Sequence, residues 1–293
     1  MTVATYAAAQ LLRVLPRARI TRVMGRLADV RLHPSVSDAV IGLYVRAYKV
    51  DLGDTVPPDG SFPSFDAFFT RPLREGVRPL GPDPDVIVSP ADGRLEDAGP
   101  VRPGGSLTIK GRAYTVADLV GDPAEVARYE GGQFAIVYLS PRDYHRVHAP
   151  IAGRMTLIRS LPGELYPVNS IGERHVPSLF STNRRVAIVI DTPTKGRVTV
   201  VMVGAMIVGR ITVSGVNARD VPLGNHVVEP ARAVARGDEI GMFHLGSTAV
   251  VFMEKGTAPP LRVERAAGDD GAPGPRIRMG EPLSRALAGE AAR

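Results

Sequence analysis

Four side chains carry the chemistry that can be read first from this sequence: the carboxylate of Asp92, the imidazoles of His145 and His148, and the hydroxyl of Ser247. Asp92, His148 and Ser247 offer an acid, a base and a nucleophile in the chain order Asp, His, Ser, the parts of a catalytic triad. Residue types alone do not bring them together, since a chain of 293 residues contains many such trios. His145 and His148 lie three apart in "PRDYHRVHAP", a spacing that in a helix offers a metal ion two ligands. The following Ala-Pro-Ile-Ala-Gly breaks a helix and no carboxylate motif completes the set, so no metal is expected.

The neighbours of Ser247 are more informative than its type. In "GMFHLGSTAVVFM" (241–253), one apolar run enters through Met242, Phe243 and Leu245, and a second leaves from Thr248 to Met253. Gly246-Ser247-Thr248 interrupts what otherwise reads as one buried strand. Gly246 leaves its carbonyl unhindered, and a strained backbone there would present that carbonyl to the Ser247 hydroxyl. Attack would shift the acyl group from nitrogen to oxygen. Loss of the α-proton and elimination would leave dehydroalanine, which water converts to a pyruvoyl group and ammonia. An ordinary serine hydrolase is the competing reading, but Ser247 lacks a G-x-S-x-G elbow.

These residues need a scaffold, and the composition says which kind. Thirty-one glycines and 26 prolines call for frequent turns and short strands. There is no cysteine, which excludes disulfides, a thiolate nucleophile and thiolate metal sites. Residues 1–50 hold eight Lys/Arg against Asp29 and Asp38, which accounts for the whole net charge of +6. No apolar run reaches membrane-span length, and no charged region precedes an apolar one, so no signal peptide is expected. Ile20, Val23, Met24 and Leu27 share one helical face while Arg19, Arg22 and Arg26 take another, and a second such segment includes Val40, Ile41, Leu43 and Tyr44. A basic amphipathic helix of this kind lies in a membrane interface or packs on protein.

Pro16 and Pro34 break this helical region, and "DTVPPDGSFPSF" (54–65) reads as a boundary, dividing the chain into 1–53 and 54–293. Beyond it the pattern is β: "FAIVYL", a hairpin of "RRVAIVIDT" and "RVTVVMV" around "PTKG", and "TAVVFM". The tail after Lys255 reads as loosely ordered. "SPADGRL" (89–95) and "APIAGRM" (149–155) repeat one turn form, with Asp92 in the first copy and Ala152 in the second. The expected fold class is α+β: a mainly β catalytic domain of duplicated, barrel-sandwich or lipoyl-like β units, preceded by an amphipathic helical region. A lipoyl-type carrier would need a lysine at a hairpin tip, for which Lys195 is the candidate.

"SPADG", "YHRVHAP" and "LGST", in that order, resemble the bacterial phosphatidylserine decarboxylase proenzymes. "FFTRPLREGVRPL" (68–80), "LPGELYPVN" (161–169), "VPSLFSTNRRV" (176–186) and "VGAMIVGRI" (203–211) extend the likeness to about Gly256. The resemblance implies self-cleavage between Gly246 and Ser247, giving a β chain of 1–246 and an α chain of 247–293 that form a heterodimer, with a homodimer of such pairs left open. It implies that Ser247 becomes the pyruvoyl cofactor, that His148 activates the serine as base with Asp92 orienting its ring, and that His145 donates a proton in decarboxylation. It further implies phosphatidylserine in anionic membrane as substrate, phosphatidylethanolamine as product, and a peripheral location on the cytoplasmic face of the cell membrane. Decarboxylation requires an electron sink, and none of the four lysines lies in a recognisable pyridoxal phosphate motif. Another amino-acid headgroup remains the alternative substrate. Two positions depart from the family pattern: Arg184, where Glu is common, and His244, two residues before Gly246.

Overall fold

In a computed structural model, the structure describes residues 15–55, 57, 60–168, 170–207, 209–246, 248–263 and 274–284. Ser247 therefore lies outside the described residues, as do residues 1–14 of the helical region. Among the described residues two helices come first, α1 (Arg17–Asp29) and α2 (Pro34–Tyr48), followed by the short α3 (Phe65–Phe69). Pro34 takes the first position of α2, where its missing N–H costs no hydrogen bond, and Ser64 caps α3 by accepting from Ala67 N. No described helix is long and apolar enough to cross a membrane.

The remainder is mainly β, so the chain is α+β. The strands are β1 (Gly93–Pro100), β2 (Ser106–Ile109), β3 (Arg112–Thr115), β4 (Gln133–Tyr138), β5 (Arg146–His148), β6 (Gly153–Leu161) and β7 (Arg185–Asp191). They continue with β8 (Arg197–Val203), β9 (Arg210–Val213), β10 (Gly224–Val234), β11 (Glu239–His244), β12 (Thr248–Met253) and β13 (Arg276–Ile277). Eight form one antiparallel sheet in the order β10-β6-β7-β8-β12-β4-β1-β13. Three form a second, β5-β11-β9, and β2 pairs with β3.

The near-continuous apolar strands follow from a sheet covered on both faces. Along β12, Ala249, Val251 and Met253 enter one core with Val198, Val200 and Met202 of β8, whereas Val250 and Phe252 enter another with Phe134 and Ile136 of β4. Alternate side chains thus fill two cores and every backbone group has a strand neighbour. A third cluster joins Ala28 of α1, Ile41 of α2, Phe68 and Phe69 of α3, and Leu245.

Two expectations need correction, and one open choice is narrowed. The run 241–253 is two strands in different sheets rather than one, because the chain passes from β11 to β12 through Leu245 and Gly246. The tail is partly built in: residues 274–284 supply β13, and Ile277 and Leu283 join the main core. The apolar stripe of α1 is also not its packing face. Val23, Met24 and Leu27 are exposed, while Arg17, Thr21 and Ala28 are buried. Polar pairing decides that orientation: Arg17 bridges to Glu164 at 2.6 Å and stacks on Tyr166, and Thr21 Oγ1 accepts from Ile207 N.

Candidate active site

The crossing between the two sheets is strained. Leu245 has φ +82° and Gly246 φ +56°, two consecutive left-handed residues immediately before Ser247. For leucine this conformation costs on the order of 1–2 kcal/mol, and such strain persists where the surroundings over-determine it. The close packing at 246 adds to the preference for glycine, since a Cβ there would sit 3.1 Å from His145 Nε2, a tight contact. His145 is thus the titratable group that faces Gly246.

A loop between β4 and β5 places this histidine. Asp143 fixes the loop by accepting from Ser140 N (2.8 Å) and Ser140 Oγ (2.6 Å) and by pairing with Arg276 (2.8 Å). The His145 ring is fully buried, its centroid 4.0 Å from that of Phe69, and neither nitrogen has a hydrogen-bond partner of good geometry. Burial chiefly, and then the Arg71 guanidinium, hold its pKa down at about 3, the nearby Asp143 backbone offsetting a little of that. Arg71 is itself held by the carbonyls of Phe68, Arg142 and Asp143. A neutral imidazole with two unpartnered nitrogens therefore lies beside the strained Gly246. Thr248 Oγ1, on the other side of Ser247, is also buried without a partner.

His148 is differently engaged. Its Nδ1 lies 2.7 Å from Gly237 O and its Nε2 2.9 Å from Tyr144 Oη. A carbonyl can only accept, so Nδ1 carries the hydrogen and Nε2 accepts from the tyrosine. Burial lowers the His148 pKa as well. Asp92 does not contact this ring. Arg78 donates to the Asp92 carboxylate through Nε (3.1 Å, to Oδ1) and Nη2 (2.5 Å, to Oδ2), and Met279 N donates to Oδ1 at 2.8 Å. The expected orienting bond from Asp92 to His148 is therefore replaced by Gly237 O. The two segments are still neighbours, since His148 N donates to Pro90 O in the "SPADG" turn.

An apolar cavity of about 600 Å³ ends on this crossing. Met24 and Leu27 of α1, Tyr44 and Tyr48 of α2, Phe65 and Phe69 of α3, and Leu245 and Gly246 line it. Sequence reasoning assigned no role to Phe69, Arg71, Arg78 or Tyr144. The first three sit inside "FFTRPLREGVRPL", whose likeness to the family was the available signal. Among the described residues, no three His, Asp or Glu side chains come together so as to hold a metal ion.

The family model for phosphatidylserine decarboxylase matches residues 65–285, which takes in the tail beyond Gly256. Similar proteins include a phosphatidylserine decarboxylase proenzyme of Anaeromyxobacter sp. (strain K), 38% identical over 278 residues, covering 93% of this chain and 95% of the relative. That of Bordetella avium is 39% identical over 276 residues (92% and 91%), and that of Acinetobacter baumannii 40% identical over 253 residues (83% and 85%).

Proposed function

The chain belongs to the phosphatidylserine decarboxylase family, and we propose that it converts phosphatidylserine to phosphatidylethanolamine and carbon dioxide with a pyruvoyl group made from its own Ser247. The observation that carries this reading is the apolar cavity ending on Gly246, beside an imidazole with nothing to bond. A lipid substrate needs an apolar channel for its acyl chains and a polar catalytic end, and the two meet here.

Self-cleavage begins with attack of the Ser247 hydroxyl on the Gly246 carbonyl carbon, breaking the Gly246–Ser247 amide and forming an ester. Left-handed backbone at Leu245 and Gly246 favours it, because cleavage releases the strain. Abstraction of the Ser247 α-proton then expels the Gly246 carboxylate, and hydrolysis of the dehydroalanine gives ammonia and the pyruvoyl end. His148 acts as base once its Nε2 exchanges the Tyr144 hydroxyl for that of the serine. Asp92, bonded by Arg78, keeps the Pro90–Gly93 turn on which the His148 backbone hangs.

When bound, the pyruvoyl group supplies the electron sink for the carbanion left as carbon dioxide departs. The residues present fit it. Phe69 and the apolar wall exclude water, and His145, which faces Gly246, returns a proton to the substrate carbon. We further propose that residues 1–53 dock on the cytoplasmic face of the cell membrane and that residues 54–293 form the catalytic domain; the exposed apolar residues of α1 and α2 support the membrane docking. The places of β1 and β6, each second from an end of the large sheet and each opened by a Pro-x-x-Gly-Arg turn, support a duplicated β unit.

Intact mass measurement of the denatured protein tests the chemistry. Two chains are expected, the smaller beginning at residue 247 and lighter by one ammonia than a serine-started peptide. Ser247→Ala and His148→Ala should remain whole and inactive, whereas His145→Ala should be cut yet decarboxylate phosphatidylserine vesicles poorly. A single unmodified chain from the parent would refute self-processing, and an uncut His145→Ala would exchange the roles of the two histidines.

A further inference from the structure

His244 has no part in the chemistry above, yet it is buried two residues before Gly246 at the centre of a charged cluster. Its Nδ1 lies 2.8 and 3.0 Å from the two carboxylate oxygens of Asp66 on α3. Its Nε2 lies 2.7 Å from Thr212 Oγ1 on β9. Thr212 donates its one hydroxyl hydrogen to Arg219 O (2.9 Å), so it accepts from Nε2. Nδ1 thus faces the Asp66 carboxylate, with Arg210 Nη2 3.3 Å away, and Nε2 faces a hydroxyl oxygen that accepts.

Asp66 is joined in turn to α1. Arg210 on β9 pairs with Asp29 at the end of α1 at 2.6 Å and with Asp66 at 3.0 Å, and Arg219 bridges the same two carboxylates at 2.8 and 3.0 Å. The α3 helix that bears Asp66 also bears Phe69, the ring against His145. One continuous set of ion pairs thus runs from the end of α1, through α3, to the residue from which the strained Leu245–Gly246 segment starts. At the far end of that segment, Thr248 is fixed in the middle of the large sheet by pairing with Tyr138 and Val203. Two consecutive left-handed residues hold only if both ends are held, and the His244 cluster holds the upstream end.

We propose that His244 is a positioning residue for self-cleavage, acting through Asp66 and the Arg210–Asp29 pair to make the geometry of the Gly246–Ser247 bond depend on the seating of α1. This rests on the self-cleavage reading. It gives the amphipathic helices a second task beside lining the cavity: a chain whose α1 is unseated loses the clamp and is processed slowly.

A double-mutant cycle on the rate of cleavage tests it, with the full chain made by cell-free synthesis and the two products followed on a denaturing gel. Asp29→Asn and His244→Asn are each expected to slow cleavage about fivefold or more, and the double variant to be within about twofold of the slower single, because both break one linkage. His244→Lys, which returns a long N–H donor to Asp66, should recover most of the parent rate; a side chain that merely fills space would not be rescued by a donor. Should His244→Asn fail to fold, Asp29→Asn and Arg219→Ala, on the solvent side of the cluster, form the same cycle. Parent-like rates in the single variants, or effects that multiply in the double, would overturn the coupling alone. An uncut parent chain would overturn the self-cleavage reading and this proposal with it.

Discussion

A buried neutral histidine leaves a signature in stability. Burial lowers His145 from 6.5 to about 3, so between those values the unfolded chain takes up a proton that the folded chain refuses. Stability from this group is complete above about pH 6.5 and is lost as the pH falls toward 3, to an extent on the order of 5 kcal/mol. About 2 kcal/mol of that falls between roughly pH 7.5 and pH 5. In the Ser247→Ala background, where one whole chain unfolds, His145→Asn is expected to flatten the dependence of denaturant stability on pH by about that amount. His148, lowered in the same direction, accounts for a part that remains. Parallel pH curves for the two proteins would mean that His145 is not held neutral by the fold. At this scale the sequence displayed both histidines and the serine but not their partners. The Nδ1 acceptor of His148 comes from Gly237, 89 residues along the chain, and a backbone carbonyl has no residue type by which it could be found.

Among the elements, the repeated Pro-x-x-Gly-Arg turn was legible and its physical reason was not. Gly93 and Gly153 each begin a strand, and a Cβ would lie 2.3 Å from Tyr138 O at the first and 2.7 Å from Asp191 O at the second. Each glycine lets the neighbouring strand's carbonyl approach, and the first turn carries Asp92. Gly93→Ala and Gly153→Ala should each cost about 1–3 kcal/mol in denaturant unfolding. Gly42→Ala in α2, with nothing within 4 Å, should be neutral or stabilising. Unchanged midpoints for the two strand variants would remove this account of the repeat. The amphipathic period of α1 was equally legible, but period alone cannot say whether the apolar stripe faces protein. Here it does not, because Arg17 and Thr21 found polar partners in the 164–207 region. With Val23 52% and Leu43 67% exposed, Val23→Ser and Leu43→Ser are each expected to weaken binding to anionic vesicles roughly fivefold to tenfold while leaving the chain's self-cleavage intact. Unaltered vesicle binding would return both helices to a packing role.

For the whole molecule, the decisive feature is where a cut at Gly246–Ser247 falls in the topology. Residues after the cut supply β12, paired on both sides between β8 and β4, and β13, which closes the sheet at β1. Ile277, Met279 and Leu283 anchor the same segment, Arg276 pairs with Asp143 beside the His145 loop, and Met279 N donates to Asp92. The segment after such a cut is therefore part of the central sheet and of the frame around Asp92 and His145. The tail's Gly, Pro, Arg and Ala composition hid this, since three apolar anchors and a two-residue strand leave no period to detect. It follows that cleavage should not separate the products. Native sizing of the processed protein is expected to show both chains in one particle, parting in denaturant along with loss of the β signal in circular dichroism. If the small chain were lost under native conditions, β12 would have to leave the middle of a sheet whose neighbours stay folded. That would exchange two fully paired strand edges for exposed ones, and the architecture described here would be wrong at its centre.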